Sequence, residues 1–283
     1  MIDLHSHSNR SDGALRPSAL IERAALRGVR ALALTDHDTL DGLEEAAHAA
    51  RPCAIELIPG VEISVSWSGR TLHVVGLDID PSAAPLREGL RALRSGRIAR
   101  GQAIGARLEK LGLPGAFDAA MGLAANDDML GRVHFARHMV ATDFVKDMST
   151  AFRRYLGDGK PAFVRHTWAG LAEALDWIKA AGGVAVLAHP GRYGLRMARL
   201  RALLSEFRAT GGVGIEVECA SHGPEQVQLI SRLAAESGLL ASLGSDFHSV
   251  EESWLDLGQL ARLPAQAQPV WLHPRLQRLA ALQ

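Results

Sequence analysis

The stretch VRALALTDHD, residues 29–38, joins an apolar run to two carboxylates and an imidazole. The apolar part predicts a buried strand over Val29–Leu34, and the polar part stands where that strand ends. Before it, Pro17–Arg27 predicts an amphipathic helix that starts with proline and stops at Gly28. Repeated along the chain, this alternation predicts an α/β fold with a mostly parallel sheet, in which the chemistry gathers at the carboxyl ends of strands.

The same order of an apolar run followed by polar side chains recurs at other points of the chain. The polar residues concerned are His5, His189, Asp246 and His248. Each of them follows a predicted strand, and helices are predicted between the strands. Ser68-Gly69 further predicts a hairpin turn between strands predicted at 61–65 and 71–79.

The middle of the chain has a different character. Residues 86–165 carry charge on most helical turns and few β-branched runs, which predicts an inserted helical subdomain that caps the substrate. The flanking segments, 1–85 and 166–283, share the α/β alternation and suit the two parts of one large α/β domain or of one barrel-like domain.

The composition narrows the classes of partner. The 283 residues include 31 basic and 31 acidic side chains, a balance that argues against a long nucleic-acid duplex and leaves a local basic pocket open. There are two cysteines, the chain opens MIDLHSHS without a signal-like start, and no run approaches about 18 apolar residues. A cytoplasmic protein with no membrane partner is therefore expected.

Two segments offer groups of metal ligands. In His5-Ser6-His7 the two imidazoles share one face of an extended segment, and Asp12 follows in a turn-forming run. An isolated H-x-H is equally compatible with a polar loop. Asp36 and Asp38 flank His37 and make a corner suited to a hard cation. One of these acids could instead orient the histidine or cap the next helix.

Further candidates lie on other predicted strands. Glu62 stands between apolar neighbours, where a buried carboxylate is costly unless it is paired or binds a metal. His73 lies on the paired strand, and its alternative role is a core histidine bonded to a backbone carbonyl. Asp246 and His248 are spaced to point the same way. Five such clusters, all after strands, favour one shared metal centre over unrelated structural roles.

Five segments carry the residues described above: IDLHSHSNRSDG, LTDHDTLDG, IPGVEIS, AHPGRY and GSDFH. Together they resemble the polymerase-and-histidinol-phosphatase (PHP) family of the amidohydrolase superfamily. The resemblance covers residues 1–80 and about 166–283. It implies a distorted TIM-like (β/α)7 barrel with an inserted helical subdomain and a centre of three divalent metal ions.

The resemblance also assigns ligands residue by residue. The first ion would be held by His5, His7, Glu62 and Asp246. Glu62 would bridge to a second ion held by His73 and His189. The third would be held by Asp12, His37 and His248. His134 could compete with His73 for its role, but is assigned to the substrate pocket. The catalytic candidates are His37, Glu62, Asp246 and His134.

The net charge of this implied centre indicates the class of substrate that it would bind. Three divalent ions, three carboxylates and neutral imidazoles leave roughly three positive charges, which suit a phosphate dianion. Clustered cations also produce hydroxide at neutral pH, so a hydroxide that bridges the ions is the expected nucleophile. Because no thiolate is among the proposed ligands, Mn²⁺, Fe²⁺ and Zn²⁺ are all compatible with the centre, and Mn²⁺ is the first expectation.

Basic side chains are expected around the substrate. Arg91, Arg94, Arg97 and Arg100 recur every three residues and predict one stripe along a helix. The alternative for any one of them is a solvated helix face balanced by acids. Arg192 follows His189 closely and is expected near the metals. The predicted substrate-binding residues are Arg97, Arg100, Arg132, His134, Lys160 and Arg192.

The helical insertion, with SGRIARGQAI and GRVHFAR, resembles the branch of the family that acts on nucleotides with a phosphate on each side of the ribose. The leading hypothesis is a phosphatase that removes the 3′-phosphate from nucleoside 3′,5′-bisphosphates. The alternatives are a 5′-3′ exoribonuclease on short 5′-phosphorylated RNA, a histidinol-phosphate-type phosphatase and a non-catalytic metal-binding module. The expected partner is a nucleotide bisphosphate or a short oligoribonucleotide.

Overall fold

Eight strands form one sheet that curls into a nearly closed barrel. The computed structural model describes residues 1–253 and 255–282. The strands are β1 (Ile2–Asp3), β2 (Ala31–Leu34), β3 (Glu56–Trp67), β4 (Arg70–Leu77), β5 (Ala169–Gly170), β6 (Val184–Leu187), β7 (Gly214–Cys219) and β8 (Leu240–Gly244). Their order is β1-β2-β3-β4-β6-β7-β8, and β5 pairs with β3. The Leu4 amide donates to the Leu243 carbonyl at 3.1 Å, so the first and last strands meet.

Ten helices accompany the sheet in the described part of the chain. They are α1 (Pro17–Leu26), α2 (Leu43–Ala50), α3 (Ala84–Ser95), α4 (Arg97–Lys110), α5 (Ala116–Leu123), α6 (Arg132–Ala141), α7 (Met148–Ala151), α8 (Leu171–Ala180), α9 (Met197–Ala209) and α10 (Pro224–Glu236). Within the same residues, no helix combines the length and the apolar character needed to cross a membrane.

The sheet is mostly parallel, as predicted, with one antiparallel interruption. β4 runs antiparallel to both β3 and β6, while the remaining neighbours pair in parallel. The predicted turn at Ser68-Gly69 is confirmed, because both residues have positive φ, 48° and 77°, as a two-residue hairpin loop requires. The strand predicted at 61–65 is part of a longer strand, β3, which pairs with β2 up to Pro59 and with β4 from Gly60 onward.

The helices from α4 to α7, with the turn that runs on to Leu156, form a layer over one end of the barrel, here called the cap (residues 97–156). Helix α3 instead packs Leu86, Leu90 and Leu93 into the core of the barrel. The cap has its own apolar core, which includes Ile104, Leu108, Phe135 and Met139. A single arginine stripe along one helix was expected here, and that prediction is wrong. The helix breaks at Gly96, where a Cβ atom would lie 2.5 Å from the ring of His166.

Candidate metal centre

Histidines and carboxylates from distant parts of the chain meet at the carboxyl ends of the strands. Three groups each bring their donor atoms within 4.8 Å of one another. The groups are His5, His7, Glu62 and Asp246; His37, Glu62 and His73; and His7, Asp12, His37 and His248. His189 joins them, because its Nε2 lies 3.0 Å from Glu62 Oε1. All nine of the proposed ligands are therefore brought together at one end of the barrel.

Glu62 occupies the middle of this arrangement. Its side chain is fully buried, although it projects from a strand whose neighbours are apolar. Glu62 Oε2 lies 3.3 Å from Nε2 of both His5 and His7 and 2.9 Å from Nδ1 of His37. Glu62 Oε1 lies 3.0 Å from Nδ1 of His73. One carboxylate thus faces imidazoles on several sides, the geometry expected of a bridging ligand.

Asp12 and His248 form a second edge of the cluster. Asp12 Oδ1 lies 3.3 Å from His248 Nε2, and Asp12 Oδ2 lies 3.8 Å from His37 Nε2. The imidazole ring of His248 is oriented by its Nδ1, which lies 2.8 Å from the carbonyl oxygen of Asp246. This contact leaves Nε2 of His248 facing Asp12 and the cluster.

The ionisable side chains of the cluster strongly shift one another's pKa values. Burial alone would lower the pKa of His5, but the charges of Glu216 and Glu62 outweigh it and raise this pKa well above its usual value. Burial alone would raise the pKa of Glu62, but positive charge on His37 and His73 holds it well below its usual value. Burial lowers the pKa of His73 to about 4. Such opposed shifts in one cleft are typical of functional sites.

The donor set fits divalent cations. Four buried side-chain atoms of the cluster make no hydrogen bond of good geometry with residues 1–253 and 255–282, although two of them, His37 Nδ1 and Glu62 Oε2, lie 2.9 Å apart. They are His7 Nδ1, His37 Nδ1, Glu62 Oε2 and His189 Nδ1. In addition, Nε2 of His5 and Nε2 of His7 lie 3.1 Å apart, although two neutral imidazoles can share one proton at most. Cations that accept imidazole and carboxylate ligands would satisfy these crowded lone pairs.

The two acids beside His37 do not act as ligands in this geometry. Asp36 accepts hydrogen bonds from the Ser8 amide at 2.7 Å and from the Ser11 hydroxyl at 2.6 Å, and so shapes the loop between His7 and Asp12. Asp38 accepts from the Ser64 amide at 2.7 Å and forms an ion pair with Arg97. Neither acid orients His37 or caps the next helix, so the two alternatives left open by the sequence are wrong, and each acid instead holds neighbouring segments in place.

Sequence reasoning missed one supporting carboxylate altogether. Glu216 lies in β7 and is buried between Ile215 and Val217. It carries the same signal that singled out Glu62, a carboxylate between apolar strand residues. No motif accompanies it, and its partners His5 and His189 lie far away in the sequence.

Arginines of the cap and the barrel line the same cavity as the cluster. The cavity encloses about 140 Å³, and its basic residues are Arg97, Arg100, Arg132 and Arg192. The guanidinium groups of Arg97 and Arg100 lie 4.9 and 5.3 Å from the ring centre of Trp168. Trp168 was not singled out from the sequence, because a tryptophan without a motif gives no positional signal.

Nearby carboxylates balance only part of the positive charge of the arginines that line the cavity. Burial, together with Arg132 and Arg97, lowers the pKa of Arg100 to about 9. Burial likewise lowers the pKa of Arg132, although Asp158 opposes this shift. Arg192 Nη1 contacts Asp246 Oδ2 at 2.5 Å. The cavity therefore combines a ligand cluster on the barrel side with closely spaced cations on the cap side, which suits an anion.

Two predicted substrate-binding residues lie away from the cavity lining. His134 is buried, and its Nδ1 accepts a hydrogen bond from the Gly131 amide at 3.0 Å, at the start of α6. Lys160 is exposed on the segment that follows the cap. From the arginine stripe, Arg94 donates to the carbonyl oxygen of Asp38 at 2.8 Å, and Arg91 lines a separate groove beside α2.

The fold and the site together define a class: a distorted α/β barrel that gathers a metal-binding cluster at the carboxyl ends of its strands. A family model described as PHP domain matches residues 3–222, and the chain belongs to this family. The resemblance drawn from the five sequence segments is thereby confirmed.

Similar proteins cover nearly the whole chain. A 3′,5′-nucleoside bisphosphate phosphatase of Chromobacterium violaceum is 49% identical over 270 residues, which are 95% of this chain and 95% of that protein. The 5′-3′ exoribonuclease Rnm of Escherichia coli is 40% identical over 271 residues, 95% of this chain and 92% of that protein.

A solved structure extends the likeness to three dimensions. An amidohydrolase from Chromobacterium violaceum, with bound sulfate and no metal, superposes with a TM-score of 0.93 at 47% identity. The superposition covers 99% of this chain and 96% of that one. The prediction of a PHP-type barrel with an inserted helical subdomain is confirmed.

Proposed function

We propose that this chain is a metal-dependent phosphohydrolase that removes the 3′-phosphate from nucleoside 3′,5′-bisphosphates, such as adenosine 3′,5′-bisphosphate. The observation that carries the proposal is a single cavity lined by the ligand cluster and by Arg97, Arg100 and Arg132. A substrate with two phosphates can place one at the cluster and the other on the guanidinium groups. The name of the 49% identical relative supports this activity.

The proposed cofactor is a set of three divalent ions, Mn²⁺ first, with Fe²⁺ or Zn²⁺ as alternatives. The three groups of converging donors support this number. Divalent cations, when bound, supply the Lewis acidity that activates water and neutralises phosphoryl oxygens. The proposed ligands are His5, His7, Asp12, His37, Glu62, His73, His189, Asp246 and His248. His37, Glu62 and Asp246 are proposed as catalytic because their charge state and position shape the surroundings of the reacting phosphoryl group.

The cap side of the cavity supports recognition of the second phosphate. Arg97 Nε and Trp168 Nε1 are buried N–H donors that lack an acceptor within the described part of the chain, and both residues line the cavity. Oxygens of a phosphate would satisfy such donors. Binding energy from this remote phosphate can be used to position the reacting one.

The remaining predicted substrate residues receive more specific roles. Arg192 is proposed to contact substrate, because it lines the cavity and Asp246 holds its guanidinium group. His134 is proposed to position the Gly131–Arg132 segment rather than to transfer a proton, because its ring accepts from the Gly131 amide. Lys160, which is exposed, is available to a substrate that extends beyond the cavity.

A comparison of three adenosine nucleotides tests the proposal. Phosphate release by Mn²⁺-loaded protein is measured with the 3′,5′-bisphosphate, the 3′-monophosphate and the 5′-monophosphate. Hydrogen bonds to a charged phosphate contribute about 1.5–3 kcal/mol, so kcat/KM for the bisphosphate should exceed that for the 3′-monophosphate by about 10- to 100-fold. The product should be the 5′-monophosphate. Equal use of both 3′-phosphates would refute recognition of a second phosphate.

The second candidate is a 5′-3′ exoribonuclease on short 5′-phosphorylated RNA. The name of the Escherichia coli relative, 40% identical over nearly the full length, favours it. A 5′-phosphorylated dinucleotide separates the two candidates, because only the nuclease converts it to mononucleotides. A histidinol-phosphate-type activity would leave the guanidinium groups unused, since that substrate carries one phosphate. A non-catalytic module is disfavoured by the three converging donor groups.

A further inference from the structure

Glu216 lies beneath the cluster and contacts two of the proposed ligand residues. Its side chain is 1% exposed. One oxygen, Oε1, lies 2.6 Å from Nδ1 of His5, and the other, Oε2, accepts a hydrogen bond from the His189 amide at 2.6 Å. Gly244 of β8 makes room for this contact, because a Cβ atom there would lie 2.3 Å from His5 Cβ and 3.1 Å from Glu216 Oε1.

The contact with His5 assigns the roles of its two ring nitrogens. A carboxylate accepts and does not donate, so Nδ1 of His5 must carry the proton that Glu216 receives. The opposite nitrogen, Nε2, faces Glu62 Oε2 at 3.3 Å and Asp246 Oδ1 at 3.4 Å. Glu216 therefore turns the nitrogen that can bind a metal toward the other donors of the first group.

The contact with His189 acts on the backbone. His189 has φ 27° and ψ 58°, a conformation with positive φ that a residue with a side chain rarely adopts. The hydrogen bond from its amide to Glu216 helps to hold this conformation. The same conformation brings His189 Nε2 to 3.0 Å from Glu62 Oε1, on the side of the second proposed ion.

We propose that Glu216 is a positioning residue that couples the first and second ion sites by orienting His5 for one and His189 for the other. The third group is supported differently, because Asp36 holds the serines of the loop that leads to Asp12. Loss of the Glu216 carboxylate therefore weakens two sites together and spares the third. The inference rests on the proposed metal centre.

Glu216→Gln tests this coupling with little change of shape. An amide offers one acceptor and one donor group, so it cannot accept from both the His189 amide and the His5 ring. Calorimetric titration of metal-stripped protein with Mn²⁺, with elemental analysis of bound metal, should show about 10- to 100-fold weaker binding at two of three sites. Binding at the remaining site should be unchanged. Wild-type affinity at all sites in this variant would overturn the proposal.

Glu218→Gln is the matched control. Glu218 lies on the same strand and is also largely buried, at 8% exposure. A shift in the pairing register of β7 separates it from Glu216. The backbone of Ala261, rather than a residue of the cluster, is the hydrogen-bond partner of the Glu218 carboxylate. This variant should bind Mn²⁺ like the wild type. An equal loss in both variants would show a general effect of altering β7 and would overturn a specific role for Glu216.

A spectroscopic measurement keeps the proposal testable even if Glu216→Gln fails to fold. Nitrogen-15 NMR of the metal-free wild-type protein, at a pH high enough that His5 carries a single proton, reports which of its ring nitrogens holds that proton. The expected result is a proton on Nδ1 of His5, and an unprotonated Nδ1 would overturn the inference. Wild-type protein that binds no Mn²⁺ but shows the proton on Nδ1 would instead overturn the metal centre, and the coupling of sites with it.

Discussion

The barrel rim and the cap contribute opposite kinds of chemistry to one cavity. On the rim, buried acceptors such as Glu62 and Asp12 converge from separate strand ends. In the cap, guanidinium groups such as those of Arg100 and Arg132 are held by aromatic rings and backbone carbonyls. Under the proposed function this difference is a division of labour, in which the rim would hold the cations for the reaction and the cap would select the anion that reaches them.

The two regions are joined by polar contacts. Asp38 of the rim pairs with Arg97 of the cap, and Arg137 of α6 donates to the carbonyl oxygen of Asp12 at 2.7 Å. Arg137 also pairs with Glu252 at 2.7 Å. The cap has an apolar core of its own, so these contacts fix its placement and need not maintain its fold.

Removal of metal should produce the largest effect and should leave the cap intact. Chelation is expected to abolish phosphate release, because the charge that polarises the phosphoryl group is lost with the ions. Addition of Mn²⁺ should restore the activity, and circular dichroism should show unchanged helix content throughout. Full activity in thoroughly stripped protein would break the assignment of the reaction to the rim.

Loss of a single rim ligand should come next. His37→Ala and Asp246→Ala are each expected to reduce kcat/KM by more than about 100-fold, because loss of a ligand should exceed the cost of losing a supporting contact. Both variants should remain folded by circular dichroism. The exposed His48 in α2 provides the control, since His48→Ala should retain wild-type kinetics. Unchanged turnover in either ligand variant would remove that residue from the mechanism.

The ligand cluster was largely predictable from sequence, and the reason is local. H-x-H and D-x-H each place two proposed ligands within three residues after a strand, and the DHD run places His37 in the same position. The roles of Asp36 and Asp38 were not predictable, because they depend on Ser11 and Arg97 from other segments. The lack of room for a Cβ atom at Gly96 likewise depends on a distant residue, because the ring of His166 reaches that position only after folding.

Arg132→Ala should affect selectivity rather than the reaction itself. Removal of one guanidinium–phosphate contact is expected to lower kcat/KM for the bisphosphate by about 10- to 100-fold. Hydrolysis of p-nitrophenyl phosphate, which has one phosphate, should change by less than about threefold. Arg153→Ala, on the exposed side of the same region, is the matched control. Equal losses on both substrates would contradict a role of the cap in selection.

Arg192, which belongs to the barrel, provides a second test of whether the rim and the cap have different roles. Its guanidinium group contacts Asp246, a proposed ligand, at 2.5 Å. Arg192→Ala is therefore expected to reduce the use of both substrates, whereas Arg132→Ala reduces the use of one. The ratio of kcat/KM values for the two substrates distinguishes these variants even when their absolute losses are similar.

Asp38→Asn tests the junction between the two regions. The variant leaves the buried guanidinium of Arg97 without its ion-pair partner, which is expected to cost about 3 kcal/mol of unfolding free energy. Limited proteolysis should cut residues 97–156 faster than in the wild type, because the cap loses a contact with the rim. Asp41→Asn is the control, since Asp41 also contacts the cap, through Asn126, but at an exposed position. Equal destabilisation by both variants would contradict a special role for the buried pair.

The smallest expected effect lies outside both regions, in the helices that cover the barrel. The Ser18 hydroxyl and Arg10 hold the pKa of Glu45 at about 2, below its ordinary value of 4.5. A carboxyl whose pKa is lowered by folding adds stability above its unfolded pKa, and this contribution is lost as pH falls from about 5 toward 2. Its size is about 1 kcal/mol, because the side chain is partly exposed and solvent screens the charge.

In metal-free protein, Glu45→Gln should therefore be less stable than wild type at pH 7 and equally stable near pH 2, by urea denaturation. Glu44→Gln, at the exposed neighbouring position, should follow the wild-type curve, so a difference confined to Glu45 would separate the acid sensitivity of the outer helices from that of the rim.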